Sequence, residues 1–248
     1  MTAAVAAPIW RVRIHELGVI PQLPKTLYFP DAADGELMDI PCYCYVLTDG
    51  VSVVLVDSGA NPVLARQGGC TVVGGSDEEL AAALSADGFT PDDVRYVVHT
   101  HLHYDHLAND GLLRKAHVVV QQEELDWALS GRSGPFYVAV PDWMGVLGRR
   151  LLRVTGETEL LPGLRLVPNG GHTPGHQSVI VNVAADHRAC ICGDIVSMLA
   201  NVSAPGAVTS DLIATQAFLA RASSAGWIML PSHDPDFRAH DWFVPRGR

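Results

Sequence analysis

Four side chains that can bind metal ions crowd into one short stretch of the sequence, directly after an apolar run. The run, residues 94–98, is rich in β-branched and aromatic side chains and predicts a strand. The stretch after it contains His101, His103, Asp105 and His106. Alternate side chains of an extended chain share a face, so His101 and His103 can bind one ion together. If the chain then turns, Asp105 and His106 reach a second ion about 3.5 to 4 Å away.

Histidines at the end of a strand are often ordinary hydrogen-bonded loop residues. That explanation suits one histidine better than three histidines and an aspartate, because such a cluster is costly to hold together without partners. A metal site also needs further ligands, and three later places in the sequence offer them. Each lies just past an apolar run that predicts a buried strand, and they are His172, Asp194 and His233. Open α/β sheets place their chemistry in such loops beyond the strand ends.

These residues resemble the metallo-β-lactamase superfamily, whose hallmark is His-x-His-x-Asp-His followed by a distant His, a bridging Asp and a last His. The resemblance covers nearly the whole chain, from Asp57 to His233. It implies that one divalent ion is held by His101, His103 and His172. It implies that a second ion is held by Asp105, His106 and His233, with Asp194 bridging the two.

The resemblance also implies roles for residues around the ions. Asp57, in the turn Val56-Asp57-Ser58-Gly59, matches an acidic position that supports the site without binding metal, although a turn aspartate that caps its own backbone is an open alternative. His176 is expected to orient a ligand rather than to bind an ion, since a metal-bound histidine needs a partner for its other nitrogen. Asp105 is a candidate to pass a proton to the leaving oxygen, with pure ligation as the alternative.

Two ions that share Asp194 would hold a water molecule between them and lower its pKa from about 15.7 toward about 7. Hydroxide would then be available as a nucleophile at neutral pH. Zinc is the expected metal because this chemistry needs no redox change, while Fe, Co, Ni and Mn remain open. In many β-lactam-hydrolysing members of the superfamily a cysteine takes the place of the bridging aspartate. Asp194 therefore argues against β-lactamase activity.

Within the superfamily, the stretches 101–106 and 171–178 look most like the N-acyl homoserine lactonases, which open a lactone ring. The sequence departs from them three residues after the bridging aspartate, where those lactonases often carry a tyrosine that hydrogen-bonds the lactone and this chain has Ser197. Either another donor substitutes or the substrate differs. The alternatives are a glyoxalase II type thioesterase, another carboxylic-ester hydrolase, and an organophosphate or aryl ester hydrolase. A mono-iron dioxygenase and a non-catalytic relative are disfavoured, because all seven ligand positions are filled.

Residues for the substrate are harder to predict. The segment 130–149 contains Phe136 and Trp143 between glycines and prolines, and it is either a substrate-lining loop or helix or a lid packed as core. Tyr104, between the metal ligands, is a further candidate. The segment 27–30, Leu-Tyr-Phe-Pro, is equally consistent with substrate binding and with a dimer contact.

Composition excludes some classes of function. The 248 residues carry a formal net charge of −10 and show no cluster of Lys and Arg, so nucleic acid is not an expected partner. The alanine-rich start predicts neither a signal peptide nor a membrane span, so a cytoplasmic location is the default expectation. Five cysteines fit a reducing compartment, and the pairs Cys42/Cys44 and Cys190/Cys192 are expected to be buried packing rather than a zinc site. A homodimer would be ordinary for such an enzyme.

The pattern of elements predicts an α/β fold, with 1–248 as one domain of two βα halves at about 10–150 and 151–248. A hairpin is predicted for 42–56 with its turn at Asp49-Gly50, and a helix for 76–86 with Ser76 as N-cap. A later helix is predicted for 211–222 with Ser210 as N-cap. By the resemblance, the whole forms a four-layer αββα sandwich with the site on one edge.

Overall fold

The computed structural model describes residues 7–137, 140–237 and 243. Two mixed β-sheets run through this part of the chain. The first has six strands in sequence order, which are β1 (Arg11–Pro24), β2 (Leu37–Thr48), β3 (Val53–Val56), β4 (Val94–Val98), β5 (His117–Gln121) and β6 (Leu151–Val154). The second has five strands in the reverse of sequence order, which are β11 (Ile228–Leu230), β10 (Arg188–Ile191), β9 (Gln177–Asn182), β8 (Leu164–Pro168) and β7 (Thr158–Leu161).

Five α-helices accompany the sheets in the described part of the chain: α1 (Pro62–Gln67), α2 (Asp77–Ala86), α3 (Gln122–Ala128), α4 (Val140–Leu147) and α5 (Leu212–Ala225). Within the first sheet, β1 to β3 are antiparallel, whereas β3 to β6 run parallel to one another. Within the second sheet, β10 and β11 are parallel and the other neighbours are antiparallel. None of the helices described is both long and apolar enough to cross a bilayer.

Alternating side chains along the strands build four layers. Along β3, Val54 and Val56 pack toward the second sheet, whereas Val53 and Leu55 pack toward the helices of the first layer. The core between the sheets joins Tyr45 and Val119 of the first sheet to residues of the second, which are Leu164, Leu166, Val179, Val181 and Ile191. On the far side of the second sheet, Phe218 of α5 covers Ile180 and Cys190. The predicted αββα sandwich is confirmed.

Several predicted elements form where the sequence placed them. The hairpin is β2 and β3, paired antiparallel across the turn at 49–50. Helix α2 begins after Ser76, whose hydroxyl accepts a hydrogen bond from the Glu79 amide while the Glu79 side chain accepts one from the Ser76 amide. The N-cap of α5 differs, because Asp211 Oδ1 accepts from the Ala214 amide at 2.9 Å. Ser210 instead donates its hydroxyl to the Gly171 carbonyl. The prediction of Ser210 as N-cap is therefore wrong by one residue.

Two strands at the edges of the first sheet differ from the sequence prediction. The segment 151–154, expected to open the second half, is β6 and pairs with β5, so the second sheet begins only with β7. Strand β1 was not predicted, because Gly18 and Pro21 interrupt its alternation. Its register with β2 shifts twice, between Glu16 and Val19 and again between Ile20 and Leu23.

The sheets place the predicted ligands at one edge of the sandwich. Strands β3 and β4 are parallel and end at residues 56 and 98, immediately before the first group of polar site residues. Strands β8, β10 and β11 share one direction in the second sheet and end at residues 168, 191 and 230. Loops beyond the carboxyl ends of both sheets therefore meet, and all the predicted ligands lie in those loops.

Candidate metal centre

Three of the predicted ligands form one tight group of imidazoles. A donor nitrogen from each of His101, His103 and His172 lies within 4.8 Å of the other two. Nε2 of His172 is 3.2 Å from Nδ1 of His103. The other nitrogen of His172 lies 2.8 Å from the Val208 carbonyl oxygen, to which it can only donate. That hydrogen bond fixes the tautomer and leaves Nε2 with a free lone pair that faces the group.

The remaining four predicted ligands form a second group beside the first. Nε2 of His106 and Nε2 of His233 lie 3.3 Å and 3.0 Å from Oδ1 of Asp194. Both nitrogens also lie 3.7 Å from Oδ2 of Asp105. Nδ1 of His233 donates to the Pro41 carbonyl at 2.7 Å, so its Nε2 lone pair points into this group. The stretch 101–106 thus supplies side chains to both groups, as its spacing predicts.

Asp194 stands between the two groups. Its Oδ1 faces His106 and His233, and its Oδ2 lies 3.6 Å from Nε2 of His172. Ser232 donates its hydroxyl to Oδ1 at 2.7 Å and so holds the carboxylate in this orientation. A carboxylate that presents one oxygen to each group has the disposition of a bridging ligand.

The chemistry of these donors fits a pair of divalent cations. Nε2 of His101 and Nε2 of His106 are buried and make no hydrogen bond, which is costly for a ring nitrogen unless an ion takes it up. Burial, reinforced by the neighbouring imidazoles, holds the pKa of His101 and of His103 well below the usual range, so both are neutral as ligands must be. Burial also lowers the pKa of His106, but the carboxylates of Asp105 and Asp194 raise it well above the usual range overall. Positive charge is therefore favoured between these side chains, and metal ions would supply it.

Asp57 supports the site from behind, as the resemblance implies. It follows β3 with a φ of 60°, and its carboxylate accepts hydrogen bonds from the amide and the hydroxyl of Thr100, each at 2.8 Å. Its Oδ2 also accepts from Nδ1 of His106 at 2.8 Å. Burial alone would raise the pKa of Asp57, but His106 and His99 lower it to about 2. The carboxylate contacts the neighbouring strand end and a ligand rather than capping its own turn.

His176 also acts indirectly. Its Nε2 accepts a hydrogen bond from the backbone amide of Asp194 at 3.0 Å, and its Nδ1 donates to Oδ1 of Asn169 at 2.7 Å. Burial lowers the pKa of His176 to about 3, so the ring is neutral and can accept from that amide. Because both ring nitrogens are used, His176 holds the backbone of Asp194 in place and has no free nitrogen for an ion.

Glu124, at the start of α3, joins the two ligand loops and was not predicted. One oxygen accepts from the Leu102 amide at 2.9 Å, and the other accepts from the Thr173 hydroxyl at 2.7 Å. Tyr137 donates its hydroxyl to the same carboxylate at 2.8 Å. Burial raises the pKa of Glu124 against these hydrogen bonds. In the sequence it is one of several acidic residues at a helix start, and no signal distinguishes it.

A second buried group of polar side chains contains Trp143. Its indole Nε1 donates to Oδ2 of Asp110 at 2.7 Å, and Nε2 of His99 lies 2.7 Å from the same oxygen. Nδ1 of His99 is 3.6 Å from Oδ1 of Asp57, so this group of side chains extends from α4 to Asp57, which contacts the predicted ligand His106. Trp143 is packed as core in the first layer, away from the candidate substrate cavity. Of the two alternatives predicted for the segment 130–149, the position of Trp143 therefore agrees with packing as core.

A cavity of about 510 Å³ opens above the two groups. His103, Asp105, His172 and Asp194 lie at its floor, and its walls are mostly apolar, formed by Ile20, Leu23, Leu27, Tyr28, Tyr104 and Phe136. Phe136 is 46% exposed and stands at the mouth, with its ring against His103. Ser197 does not line the cavity, because it is buried and donates its hydroxyl to the Asp194 carbonyl at 3.4 Å.

Comparisons with known proteins identify the family of the chain. A model of the metallo-β-lactamase superfamily matches residues 37–236 of the chain. An N-acyl homoserine lactonase from a Bacillus species is 29% identical over 157 residues, which are 59% of this chain and 60% of that protein. The chain thus matches 60% of the length of its Bacillus relatives. The lactonase AttM of Azorhizobium caulinodans is 27% identical over 239 residues, which cover 82% of this chain and 85% of that protein.

Solved structures share the fold at low sequence identity. An N-acyl homoserine lactone hydrolase with bound N-hexanoyl-L-homoserine has a TM-score of 0.78 at 20% identity, covering 96% of this chain and 100% of that one. The dizinc quorum-quenching lactonase AidC has a TM-score of 0.75 at 14% identity, covering 98% of this chain and 97% of that one. The match of the family model over residues 37–236 establishes that the chain belongs to the metallo-β-lactamase superfamily, and these structures show that it shares their fold.

Proposed function

We propose that the protein is a metal-dependent hydrolase that opens the ring of N-acyl homoserine lactone-like substrates. The observation that carries the proposal is the gathering of the seven predicted ligands in two adjoining groups, with four of these ligands lining an apolar cavity: His103, Asp105, His172 and Asp194. The curated lactonases named above are the source of the substrate class. Two divalent ions are the proposed cofactors, with zinc as the proposed metal.

The seven predicted ligands have different roles in the proposed reaction. Two ions held by them would supply an activated hydroxide, because metal binding lowers the pKa of water toward about 7. Asp194 presents one oxygen to each group and so sets the separation of the two sites. Asp105 lies at the cavity floor between His106 and His233, where its carboxylate can take up the proton that the attacking oxygen loses and pass it to the leaving oxygen as the ring opens. Its roles as ligand and as proton carrier are compatible.

The cavity walls support a substrate with a hydrocarbon tail. Ile20, Leu23 and Leu27 come from the end of β1 and the turn after it, Val208 is joined to Leu27 by a backbone hydrogen bond of 3.3 Å, and Phe136 completes the apolar lining. Apolar side chains of this kind stabilise a bound acyl chain because binding removes the surfaces of the chain and of the cavity wall from water. The gain in free energy is about 25 cal/mol per Å² of apolar surface buried. A substrate with its lactone carbonyl at the floor and its acyl chain along these walls matches both the polar floor and the apolar walls of the cavity.

Tyr28 is the proposed hydrogen-bond donor in place of the tyrosine that Ser197 replaces. It lines the same cavity as Asp105 and Asp194 and is 5% exposed. Burial and then the negative charges of Asp194 and Asp105 raise the pKa of Tyr28, so its hydroxyl remains a donor throughout the neutral range. Asn201 donates to the Tyr28 carbonyl at 2.7 Å, which ties the segment 27–30 to the second half of the chain.

The cavity does not favour a glyoxalase II type thioesterase. Recognition of glutathione carboxylates requires Lys or Arg side chains near the reacting group. Among the described residues, those that line the cavity include no Lys or Arg. Other neutral esters, including aryl esters, stay compatible with the same floor and walls and are the second candidate class.

The test is a substrate screen on purified protein whose metal content has been measured. Acyl homoserine lactones of increasing chain length, an aryl ester, a thioester and a phosphotriester are compared by product formation. Parallel assays use His103→Ala and Asp194→Asn, with Cys44→Ala as a control whose changed side chain packs in the apolar core with Leu55 and Leu84. We expect lactone turnover in the wild type and the control, and its loss in both ligand variants. Lactone turnover that survives in Asp194→Asn, or that is absent from the metal-loaded wild type, would overturn the proposal.

A further inference from the structure

A cysteine that none of the roles above uses lies inside the second group of ligands. Cys42, on β2, is completely buried, and its Sγ lies within 4.8 Å of both an oxygen of Asp105 and a nitrogen of His233. Two donors of one zinc ion lie about 3 to 4.4 Å apart, given Zn–S and Zn–N bonds of about 2.3 Å and 2.1 Å. The spacing is therefore within a few tenths of an ångström of that for a shared ion.

The backbone around Cys42 fixes this proximity. The Pro41 carbonyl accepts from Nδ1 of His233, and the Tyr43 amide donates to the Ser232 carbonyl at 3.3 Å. The Tyr43 hydroxyl donates to the Asp234 carbonyl at 2.7 Å. Hydrogen bonds thus link the residues on both sides of Cys42 to the loop that carries His233. The thiol cannot leave the site without breaking this connection.

We propose that the Cys42 sulfur is a ligand of the ion held by Asp105, His106 and His233. Two observations besides the proximity support this. Nε2 of His106 is buried in the same group without a hydrogen-bond partner, which points independently to an ion at this place. The lone pair of Nε2 of His233 also faces the Cys42 thiol and can accept its hydrogen bond. When an ion binds this lone pair, the thiol loses that hydrogen-bond acceptor.

Coordination would then give the sulfur a partner, with the thiol proton released to solvent as the metal binds. A thiolate changes what the second site prefers. Soft sulfur ligands favour zinc and cobalt over manganese or magnesium, which prefer oxygen. One additional negative charge also reduces the net charge of the two-ion site. This inference rests on the proposed pair of metal ions but on no particular substrate. Failure of the inference would appear in the metal spectroscopy, whereas failure of the lactonase proposal would appear in the substrate assays.

The decisive measurement is X-ray absorption at the zinc edge of the wild-type holoenzyme. We expect a Zn–S contribution at about 2.3 Å beside the nitrogen and oxygen neighbours. Protein reconstituted with Co²⁺ should show a thiolate-to-cobalt charge-transfer band in the near ultraviolet. That band should be lost in Cys42→Ala and kept in Cys44→Ala, whose residue lies two positions along the same strand and packs in the core.

Two outcomes would overturn the inference. One is a wild-type protein with two bound ions but no sulfur neighbour by X-ray absorption. The other is a charge-transfer band that persists in Cys42→Ala. If Cys42→Ala fails to fold, the wild-type absorption spectrum decides alone, since it needs no variant. Protein that binds no metal at all would instead contradict the proposed function as well.

Discussion

Nδ1 of His106 donates a hydrogen bond of 2.8 Å to Oδ2 of Asp57, and this contact fixes the tautomer of a metal-binding side chain. The proton on Nδ1 leaves the lone pair on Nε2, which lies 3.3 Å from Oδ1 of Asp194. The other oxygen of Asp57 accepts from the Thr100 amide at 2.8 Å, so the carboxylate is itself held in place. Asp57 thus determines which nitrogen of His106 has a free lone pair for an ion.

Replacing this carboxylate tests that dependence. In Asp57→Asn the amide nitrogen can donate toward Nδ1 of His106, which favours the tautomer with its proton on Nε2. We expect the affinity of the second ion to fall about 10- to 100-fold while the first ion stays bound. Competition with a chromophoric chelator measures both constants. Asp92→Asn, an exposed aspartate paired with Lys115, is the control, and equal affinities in the two variants would contradict the assignment.

Removal of the Tyr28 hydroxyl tests the proposed donor. Tyr28→Phe keeps the ring in the cavity wall but deletes the donor near Asp105 and Asp194. We expect kcat for lactone opening to fall about 100-fold with a smaller change in KM, because a donor to a developing charge acts mainly in the transition state.

The control is Tyr96→Phe, a half-buried ring that packs against His117 on β5 away from the cavity. Metal content and steady-state kinetics are measured for both variants. An unchanged kcat in Tyr28→Phe with both ions present would remove Tyr28 from the mechanism.

The parts of the molecule that could be predicted from sequence are those whose signals are local. Ser76 and Glu79 stand three residues apart and indicate the start of α2, and the structure forms both hydrogen bonds of that capping box. The cluster from His101 to His106 follows a recognisable strand, and its spacing is enough to predict ligands for two neighbouring groups.

The parts that could not be predicted depend on contacts between distant segments. Glu124 gains its role from Leu102 and Thr173, which only the fold brings together. Cys42 lies beside His233 because hydrogen bonds join β2 to a loop about 190 residues later, whereas its sequence pattern indicates only a buried strand. The sequence left Trp143 open between substrate lining and core packing, and only its contact with Asp110, 33 residues earlier, shows that it packs in the core. Local patterns identify which side chains are buried but not which remote residue they meet.

Gly175 tests the contact between the second ligand loop and α3. A Cβ at this position would collide with the backbone nitrogen and Cα of Glu124, so a methyl group forces the loop away from the helix. We expect Gly175→Ala to lower the free energy of unfolding by about 1 to 3 kcal/mol, the usual cost of overpacking. Gly145, in α4, is the matched control, because a Cβ added there would meet no atom within 4 Å.

Gly145→Ala should be neutral or should raise stability by up to about 1 kcal/mol, since alanine is the better helix former. Urea unfolding of both variants measures the two changes. A Gly175→Ala protein as stable as the wild type would show that the loop can move away from α3 at little cost.

Glu157 gives the fold a pH dependence that lies outside the metal centre. It joins β8 to α5, with Arg165 at 3.0 Å and with Arg221 in a second ion pair. The Arg221 hydrogen bond, and then the charges of Arg221 and Arg165, lower the pKa of Glu157. A carboxyl group with a lowered pKa stabilises the fold above its unfolded pKa of about 4.3, and the contribution is lost as the pH falls through the folded value.

Glu157→Gln should therefore be less stable than the wild type at pH about 7, by less than about 1 kcal/mol because the pair is largely exposed and screened. The gap should be smaller at pH about 3, below the unfolded pKa, because the contribution is lost as the pH falls toward and through the lowered folded pKa. Urea unfolding of metal-free protein at both pH values measures it without interference from the ligands. Glu16→Gln, on the exposed face of β1, is the control and should match the wild type at both values. A gap of equal size at both pH values would mean that shape rather than charge makes Glu157 stabilising.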